Sequence, residues 1–169
     1  MGDWKPNVSF EDKKEVLDEF VFMEQCHLGI DNDDVDELLE IRDLSDAARK
    51  IIYDYDKDVL VLDWEVAENS YEESCKLIMR EMRHQYQWKV VKCGSDWENF
   101  DRELDFVVKA RQWKEEHIYY KKLSEYDAYP EYIIYLEDNS KYEMEIVKDA
   151  REYVEERLRK FGWDKEEED

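Results

Sequence analysis

The side chains of this chain whose type and spacing could support metal binding or catalysis are carboxylates. Asp63 and Glu65 form an Asp-x-Glu triplet at the end of a short apolar run. Hard cations such as Mg²⁺ bind carboxylate oxygens, and some metal-dependent exonucleases begin their carboxylate cluster at such a position after a strand. A metal-dependent nuclease centred on Asp63 and Glu65 is therefore one hypothesis. Since 47 of the 169 residues are acidic, such triplets also arise by chance, and we assign no metal ligand.

The sequence lacks the common catalytic and ligand-binding motifs. It contains no Gly-rich phosphate loop, no Gly-x-Ser-x-Gly turn and no closely spaced zinc ligands. The segment Asp31–Asp34 opens like a calcium loop, but Asp36 stands where that loop needs glycine and Arg42 where it needs glutamate. Three widely spaced cysteines are typical of reduced thiols: Cys26, Cys75 and Cys93. We therefore expect no enzyme activity, no catalytic residue and no cofactor.

The formal net charge of −22 is distributed unevenly along the chain. Residues 1–73 hold 23 acidic and 7 basic residues, residues 74–122 hold 8 and 11, and residues 123–169 hold 16 and 7. A small soluble domain typically has a net charge of about 2 to 8 in magnitude, so this charge exceeds what solubility needs. Such a surface repels phosphate backbones and anionic lipids and favours a basic partner.

The densest part of this charge lies between residues 31 and 73, where we predict a second helix. Carboxylates three and four residues apart on a helix line one face, with Cβ atoms about 5–6 Å apart. Such a row could occupy a groove built for nucleic acid, with counterion release as part of the driving force. We predict that the following residues bind the partner: Asp33, Asp36, Glu37, Glu40, Asp43, Asp54, Asp56 and Asp58. The alternative is a solvated face that keeps the protein soluble.

The acidic segment Asp31–Glu37 and the charged end Asp164–Asp169 resemble segments of the DNA-mimic inhibitors of phages and plasmids. These inhibitors include anti-restriction and anti-CRISPR proteins. The resemblance is one of size and composition, and the balanced middle segment departs from a uniformly acidic mimic. It implies a viral or plasmid protein that binds the nucleic-acid groove of a DNA- or RNA-handling host protein, such as a defence nuclease. It assigns no residue roles, because such families have unrelated folds.

The elements that must position these carboxylates are predicted from apolar spacing and cap residues. A first helix spans about Phe10 to Leu28, and a second helical region runs from near Asp33 to Tyr55, either continuous or interrupted near Ser45, which could cap a new helix. Later helices are predicted at about Tyr71–Tyr86, Asp96–Leu123 and Tyr142–Phe161, and strands at Val59–Trp64, Gln87–Cys93 and Tyr132–Leu136. A hairpin is the alternative around Tyr142, because Tyr142, Met144 and Ile146 also alternate.

These elements predict a helix-rich α+β fold with about five helices and a small sheet of about three short strands. We expect a single globular domain over residues 1–163 and a disordered acidic tail over residues 164–169. The sequence begins without the apolar run of a signal peptide, and no stretch is long and apolar enough for a membrane span. A protein of the host-cell cytoplasm is therefore expected.

The leading hypothesis is a non-enzymatic nucleic-acid mimic that inhibits a basic nucleic-acid-binding protein. It would act through a protein–protein contact, without binding nucleic acid or membrane itself. The alternatives are the nuclease described above and an acidic adaptor or chaperone for a basic protein. A homodimer is compatible with all three hypotheses.

Overall fold

The structure is a computed structural model that describes residues 3–30, 37–47, 49–54, 57, 59–93, 108–116 and 145–163. The described residues divide into two compact units. Unit 1 comprises those before Arg83 and after Glu152, and unit 2 comprises those from Arg83 to Glu152. The predicted single domain over residues 1–163 and the predicted tail over residues 164–169 stay predictions.

Helix α1 spans Phe10–Leu28 and confirms the first predicted helix. Ser9 caps its N-terminus, where the hydroxyl oxygen accepts the backbone N–H of Asp12 at 3.2 Å. Gly29 ends the helix with a φ of 68°, and its N–H bonds back to the carbonyl of Cys26. A Cβ would strain the backbone in this left-handed conformation, so glycine is favoured at the cap.

Three short strands form one sheet in unit 1: β1 (Leu39–Arg42), β2 (Ile51–Asp54) and β3 (Val59–Asp63). Strand β3 lies in the centre, parallel to β1 and antiparallel to β2. All residues of β3 are buried, as expected for a strand that is covered on both faces. Strand β3 confirms the strand predicted from this apolar run.

The predicted second helix from near Asp33 to Tyr55 is wrong, because β1 and β2 occupy its described part. The ladder pairs Leu39 with Leu60 and Ile51 with Leu62. Apolar residues in this segment are spaced in a way that also fits a helix, but pairing with the buried β3 overrides that local preference.

Helix α2 (Trp64–Asn69) follows β3 directly, and α3 (Tyr71–Cys93) follows α2. Helix α3 confirms the third predicted helix and continues through Gln87–Cys93, where the predicted strand is wrong. Val90 is β-branched, but it is buried and continues the helical stripe that includes Met82. In unit 1, α1 contacts β1 and α2, and α2 contacts β1 and β3.

Two further described helices lie in the second half of the chain. Residues 108–116 form α4, within the predicted helix Asp96–Leu123. Helix α5 spans Glu145–Phe161, which confirms the last predicted helix over its described part and excludes a hairpin there. The predicted strand Tyr132–Leu136 lies outside the described residues. Five described helices and one small mixed sheet confirm the predicted helix-rich α+β fold.

An aromatic chain joins three parts of unit 1. Trp4 lies 5.0 Å from Tyr71 between ring centroids, and Tyr71 lies 5.7 Å from Trp163. Trp163 stacks on Phe161 at 5.1 Å, and Phe161 lies 6.1 Å from Phe20 of α1. These contacts fix the N-terminal segment and the end of α5 against α1 and the start of α3.

Candidate functional site

The predicted partner-binding carboxylates do not form the expected helical row in the described residues. Glu37 accepts a hydrogen bond from Nζ of Lys14 at 2.6 Å, so a lysine of α1 neutralises it. Glu40 lies in β1 and accepts a hydrogen bond from Nε of Arg42 at 2.9 Å. Residues two apart in a strand share one face, so β1 places Glu40 beside a cation. This hydrogen bond lowers the pKa of Glu40.

Asp43 and Asp54 stabilise turns next to the strands. Oδ1 of Asp43 accepts the N–H of Ser45 at 2.8 Å, and hydrogen bonding to Ser45 lowers the pKa of Asp43. Oδ1 of Asp54 accepts the N–H of Lys57 at 3.2 Å. The remaining predicted residues lie outside the described part of the chain, and their role stays a prediction: Asp33, Asp36, Asp56 and Asp58.

The Asp-x-Glu triplet has a structural role at Asp63. This residue ends β3 and is 2% exposed. Its Oδ1 accepts the N–H of Leu44 at 2.8 Å, and its Oδ2 lies 3.3 Å from Nζ of Lys50. Glu65 is exposed in the first turn of α2. Oδ1 of Asp63 thus holds the segment between β1 and β2, and Oδ2 is buried within ion-pair distance of Lys50 but accepts no hydrogen bond from the described residues. With Glu65 exposed on α2, this geometry gives no support to a nuclease centred on the triplet.

Helix α3 carries part of the zinc-protease motif His-Glu-x-x-His. Glu81 and His84 have the motif's spacing, but Arg80 stands where the first histidine ligand belongs. The His84 ring lies 2.9 Å from the side-chain oxygen of Gln87. Among the described residues, no three His, Cys, Asp or Glu side chains group so that they could hold a metal ion. The described part of α3 therefore gives no support to a zinc enzyme.

A row of exposed carboxylates does occur in the structure, on α1. Glu11, Glu15 and Glu19 are four residues apart and exposed, and Asp12 is exposed beside them. This spacing aligns the three glutamates on one helix face, with neighbouring Cβ atoms about 5–6 Å apart. We call Glu11, Glu15 and Glu19 the α1 carboxylate row.

The two lysines of α1 are paired with acidic residues outside this helix. Nζ of Lys13 lies 2.5 Å from Oε2 of Glu68 and donates to the Glu68 carbonyl at 3.0 Å. Lys14 donates to Glu37, and this hydrogen bond raises the pKa of Lys14. The α1 carboxylate row is therefore exposed while the hydrogen bonds of the helix's own lysines go to Glu68 and Glu37, although the charge of Glu11 also acts on Lys14.

The sequence carries a signal for the α1 carboxylate row. Glu11, Glu15 and Glu19 follow helical spacing in a segment that begins with a clear N-cap. Lys13 and Lys14 reduce the net charge of this segment. A count of charges therefore places the binding surface further along the chain, where the acidic residues are denser but the described part is not helical.

Two of the cysteines differ sharply in accessibility. Cys26 is exposed on α1, whereas Cys75 is fully buried on α3. Burial raises the pKa of Cys75 to about 12, and the nearby charges of Glu24 and Glu72 act in the same direction. Because the thiolate is the reactive form, Cys75 is an inert core thiol at neutral pH.

We expect iodoacetamide at pH 8 to alkylate Cys26 in the folded protein and to leave Cys75 unmodified until the protein unfolds. A thiol with a pKa of about 12 is ionised more than about a thousandfold less at this pH than an ordinary thiol. Mass spectrometry of tryptic peptides, with and without guanidinium chloride, measures the modification of each residue. Equal alkylation rates of the two thiols without denaturant would contradict the burial of Cys75.

A buried carboxylate in unit 1 joins α1 to α5. Glu24 is fully buried, and its oxygens accept hydrogen bonds from the Tyr153 hydroxyl at 2.5 Å and from Nε of Arg157 at 3.0 Å. The ring of His27 lies 6.1 Å from that of Tyr153. Burial, together with the positive charge of Arg157, lowers the pKa of His27. Both Glu24 oxygens have partners, so this cluster holds the fold together.

Unit 2 contains a second polar cluster, around Asp149 of α5. Asp149 accepts hydrogen bonds from Nε of Arg83 at 2.7 Å, from Nε2 of Gln87 at 2.8 Å and from Nζ of Lys109 at 3.3 Å. Glu116 of α4 accepts the N–H of Glu145 at 3.0 Å and so caps the first turn of α5. Burial raises the pKa of Glu116. These contacts hold α3, α4 and α5 together within unit 2.

Comparison of the chain with protein-family models, with curated proteins and with solved structures gives no match. Among the helices that the structure describes, none combines the length and the apolar character that a membrane span needs. The candidate functional site is therefore defined by geometry and charge, and its best-formed feature is the α1 carboxylate row.

Proposed function

We propose that the protein is a non-enzymatic inhibitor that occupies the nucleic-acid groove of a basic DNA- or RNA-handling protein, such as a host-defence nuclease. The observation that carries this proposal is the α1 carboxylate row, in a chain with a net charge of −22. Nothing in folding requires three carboxylates at this spacing, because like charges four residues apart destabilise a helix by a few tenths of a kcal/mol per pair.

The dimensions of the row are compatible with those of a phosphate backbone. A helix rises about 1.5 Å per residue, so the row places a carboxylate about every 6 Å along some 12 Å of α1. One strand of a DNA duplex carries a charge about every 3.4 Å of axis. The row thus supplies about half of that charge density, and Asp12 brings it closer to the density of DNA.

Other exposed acidic residues of unit 1 extend the negative surface beyond α1. Asp43 and Asp46 are exposed near the sheet, and Glu65 and Glu73 are exposed on α2 and α3. A partner with a basic groove would release counterions on meeting these charges, as it does on binding nucleic acid. In this proposal the protein acts in the host-cell cytoplasm and contacts neither nucleic acid nor membrane.

The first step of the test identifies the partner and then measures competition. The immobilised protein captures its binding proteins from a host lysate. Each captured candidate is purified and then bound to a fluorescent 20-base-pair duplex. We expect the protein to displace the duplex from its partner, with steep dependence on salt. A captured partner that binds the protein and the duplex at the same time would overturn the proposal.

The triple variant E11Q/E15Q/E19Q is expected to displace the duplex at least tenfold less effectively than the wild type. Each carboxylate that replaces a phosphate contributes about 0.9 to the slope of log K against log salt, so the slope should fall by about 2 to 3. Fluorescence anisotropy at several NaCl concentrations gives both quantities. The matched control E115Q/E152Q/E155Q removes the same charge from exposed positions outside the row, and equal effects of the two triple variants would contradict the proposal.

A further inference from the structure

Exposed apolar side chains lie on α1 next to the carboxylate row. Phe22 is 58% exposed, Met23 49% and Val16 39%. Met23 lies four residues beyond Glu19 and Phe22 three, so these two side chains lie on either side of the helix line through Glu19, about 100° apart. Val16 is seven residues before Met23 and nearly in line with it. Large apolar side chains exposed on one helix face indicate a contact surface for another molecule. We call Val16, Phe22 and Met23 the α1 apolar patch.

The opposite side of α1 provides the buried contacts of unit 1. Its buried apolar residues are Leu17, Phe20, Val21 and Leu28. None of the three side chains of the α1 apolar patch belongs to the buried core, and we expect a variant that removes Phe22 and Met23 to fold. The outward face of α1 combines two features: the carboxylate row, with Val16 beside it, over residues 11–19, and the apolar side chains of Phe22 and Met23 in the C-terminal half.

The charge of this face decides which kind of molecule could cover it. A second copy of the chain would bring its carboxylates against either the carboxylate row or the apolar side chains of the first copy and supplies no cation from this face to pair with the row, and anionic lipid would be repelled. Nucleic acid is repelled too, and it offers no matching apolar surface in its phosphate backbone. A protein segment with basic and apolar side chains is complementary to both halves of the face.

We propose that the outward face of α1 docks a basic amphipathic helix of the partner protein. Apolar side chains of that helix would cover Phe22 and Met23, while its lysines or arginines would pair with the α1 carboxylate row. Side chains three and four residues apart on the docked helix match the spacing of the row. This inference rests on the proposed function in one respect, namely that the partner is basic.

Two contributions to binding follow, and they respond differently to salt. Pairing with the carboxylate row weakens as salt screens the charges. Burial of the α1 apolar patch does not depend on screening, so it retains affinity at high salt. Loss of the row should therefore lower affinity most at low salt and weaken the salt dependence, whereas loss of the patch should lower affinity at every salt concentration.

The test uses two synthetic fluorescent peptides of 18 residues. One is a helix with lysines on one face and leucines on the other, and the second has alanine in place of each leucine. We expect the wild-type protein to bind the leucine peptide at least tenfold more tightly than the alanine peptide at 150 mM NaCl. The double variant F22S/M23S should lose this preference, and E11Q/E15Q/E19Q should bind the leucine peptide with a weaker dependence on salt.

The exposed Trp64 of α2, which is 50% exposed, provides the matched control. W64S removes an equally exposed apolar side chain elsewhere and should keep the full preference for the leucine peptide. Circular dichroism establishes that all variants fold. Equal binding of both peptides by the wild type, or equal losses in F22S/M23S and W64S, would overturn the proposal. So would a wild-type dimer in sedimentation that F22S/M23S converts to a monomer.

The failure of this inference is distinguishable from that of the proposed function. If the wild type and F22S/M23S displace duplex DNA from the partner equally well, the docking proposal is wrong and the proposed inhibitor function is supported. If the leucine peptide binds as expected while the purified partner still binds DNA in the complex, the docking proposal is supported and the proposed nucleic-acid mimicry is wrong.

Discussion

Replacing Glu24 with glutamine is expected to lower the free energy of unfolding by about 3–5 kcal/mol. Glu24 is fully buried between α1 and α5, where it pairs with Arg157 and accepts the Tyr153 hydroxyl hydrogen bond. The substitution leaves the guanidinium of Arg157, whose side chain is 12% exposed, without its anion. A buried charge without a partner is far more costly than the pair is stabilising. Urea unfolding followed by tryptophan fluorescence measures the change.

Two controls separate this effect from a general loss of negative charge. Glu37 pairs with Lys14 at the surface, so E37Q is expected to cost less than about 1 kcal/mol. The double variant E24M/R157M removes both charges and should be more stable than E24Q alone, because apolar side chains can replace a buried ion pair. If E24Q cost no more than E37Q, the buried pair would not hold α1 to α5.

Replacing Asp149 with asparagine is expected to cost about 3–5 kcal/mol in unit 2 at pH 7. Asp149 is 5% exposed and accepts hydrogen bonds from Arg83, Gln87 and Lys109. Asparagine has one acceptor oxygen and no charge, so the guanidinium of Arg83 loses its bidentate partner. The unfolding of unit 2 is measured by hydrogen exchange of backbone amides in α5, from Glu145 to Glu152.

The difference in stability between the wild type and D149N is expected to depend on pH. Burial alone would raise the pKa of Asp149, but the hydrogen bonds and charge of Arg83, together with Gln87 and Lys109, lower it below its usual value. A carboxylate with a lowered pKa stabilises the fold above its unfolded pKa of about 3.9 and loses that contribution as the pH falls through the folded value. The stability difference between wild type and D149N should therefore be constant from pH 7 to pH 5 and shrink below pH 4. A difference that is the same at pH 2.5 and pH 7 would contradict the role of the ionised Asp149.

Elements with local signals can be predicted from this sequence. Helix α1 is bounded by Ser9 and Gly29, whose caps use neighbouring residues, and Gly162 ends α5 with a φ of 70° in the same way. Strand β3 is an uninterrupted apolar run, so its burial follows from composition. In each case the residues that determine the structure are close together in sequence, and no distant partner has to be known.

Elements that depend on distant partners could not be predicted in this way. Ile51 and Ile52 fit a helix as well as a strand, and the choice is made by pairing with Leu62 and Val61 of β3. Val90 was expected in a strand from its β-branched side chain, but burial on α3 decides in favour of a helix. In both cases tertiary contacts stabilise the observed element over the predicted one, and single-residue preferences do not include those contacts.

The sequence predicts an acidic row at helical spacing on residues 33–43, but the described part of that segment forms β1 and turns. Whether the predicted residues bind a partner stays a prediction. The row that the structure contains is on α1. In addition, Lys14 and Arg42 pair with Glu37 and Glu40, which neutralises two of the predicted carboxylates. The free charge of a surface depends on which acids find an intramolecular cation, and a count along the sequence does not reveal those pairs.

The charges on β1 and β2 have a consequence for aggregation. In the described sheet, both strands lie at edges, beside β3 on one side only, and each is four residues long. Edge strands can pair with strands of other chains and seed fibrils. Glu40 and Arg42 on β1 and Asp54 on β2 place charged side chains on these edges, and a net charge of −22 keeps copies of the chain apart. These charges oppose intermolecular strand pairing, and we expect concentrated protein at low salt to resist fibril formation as measured by thioflavin T fluorescence.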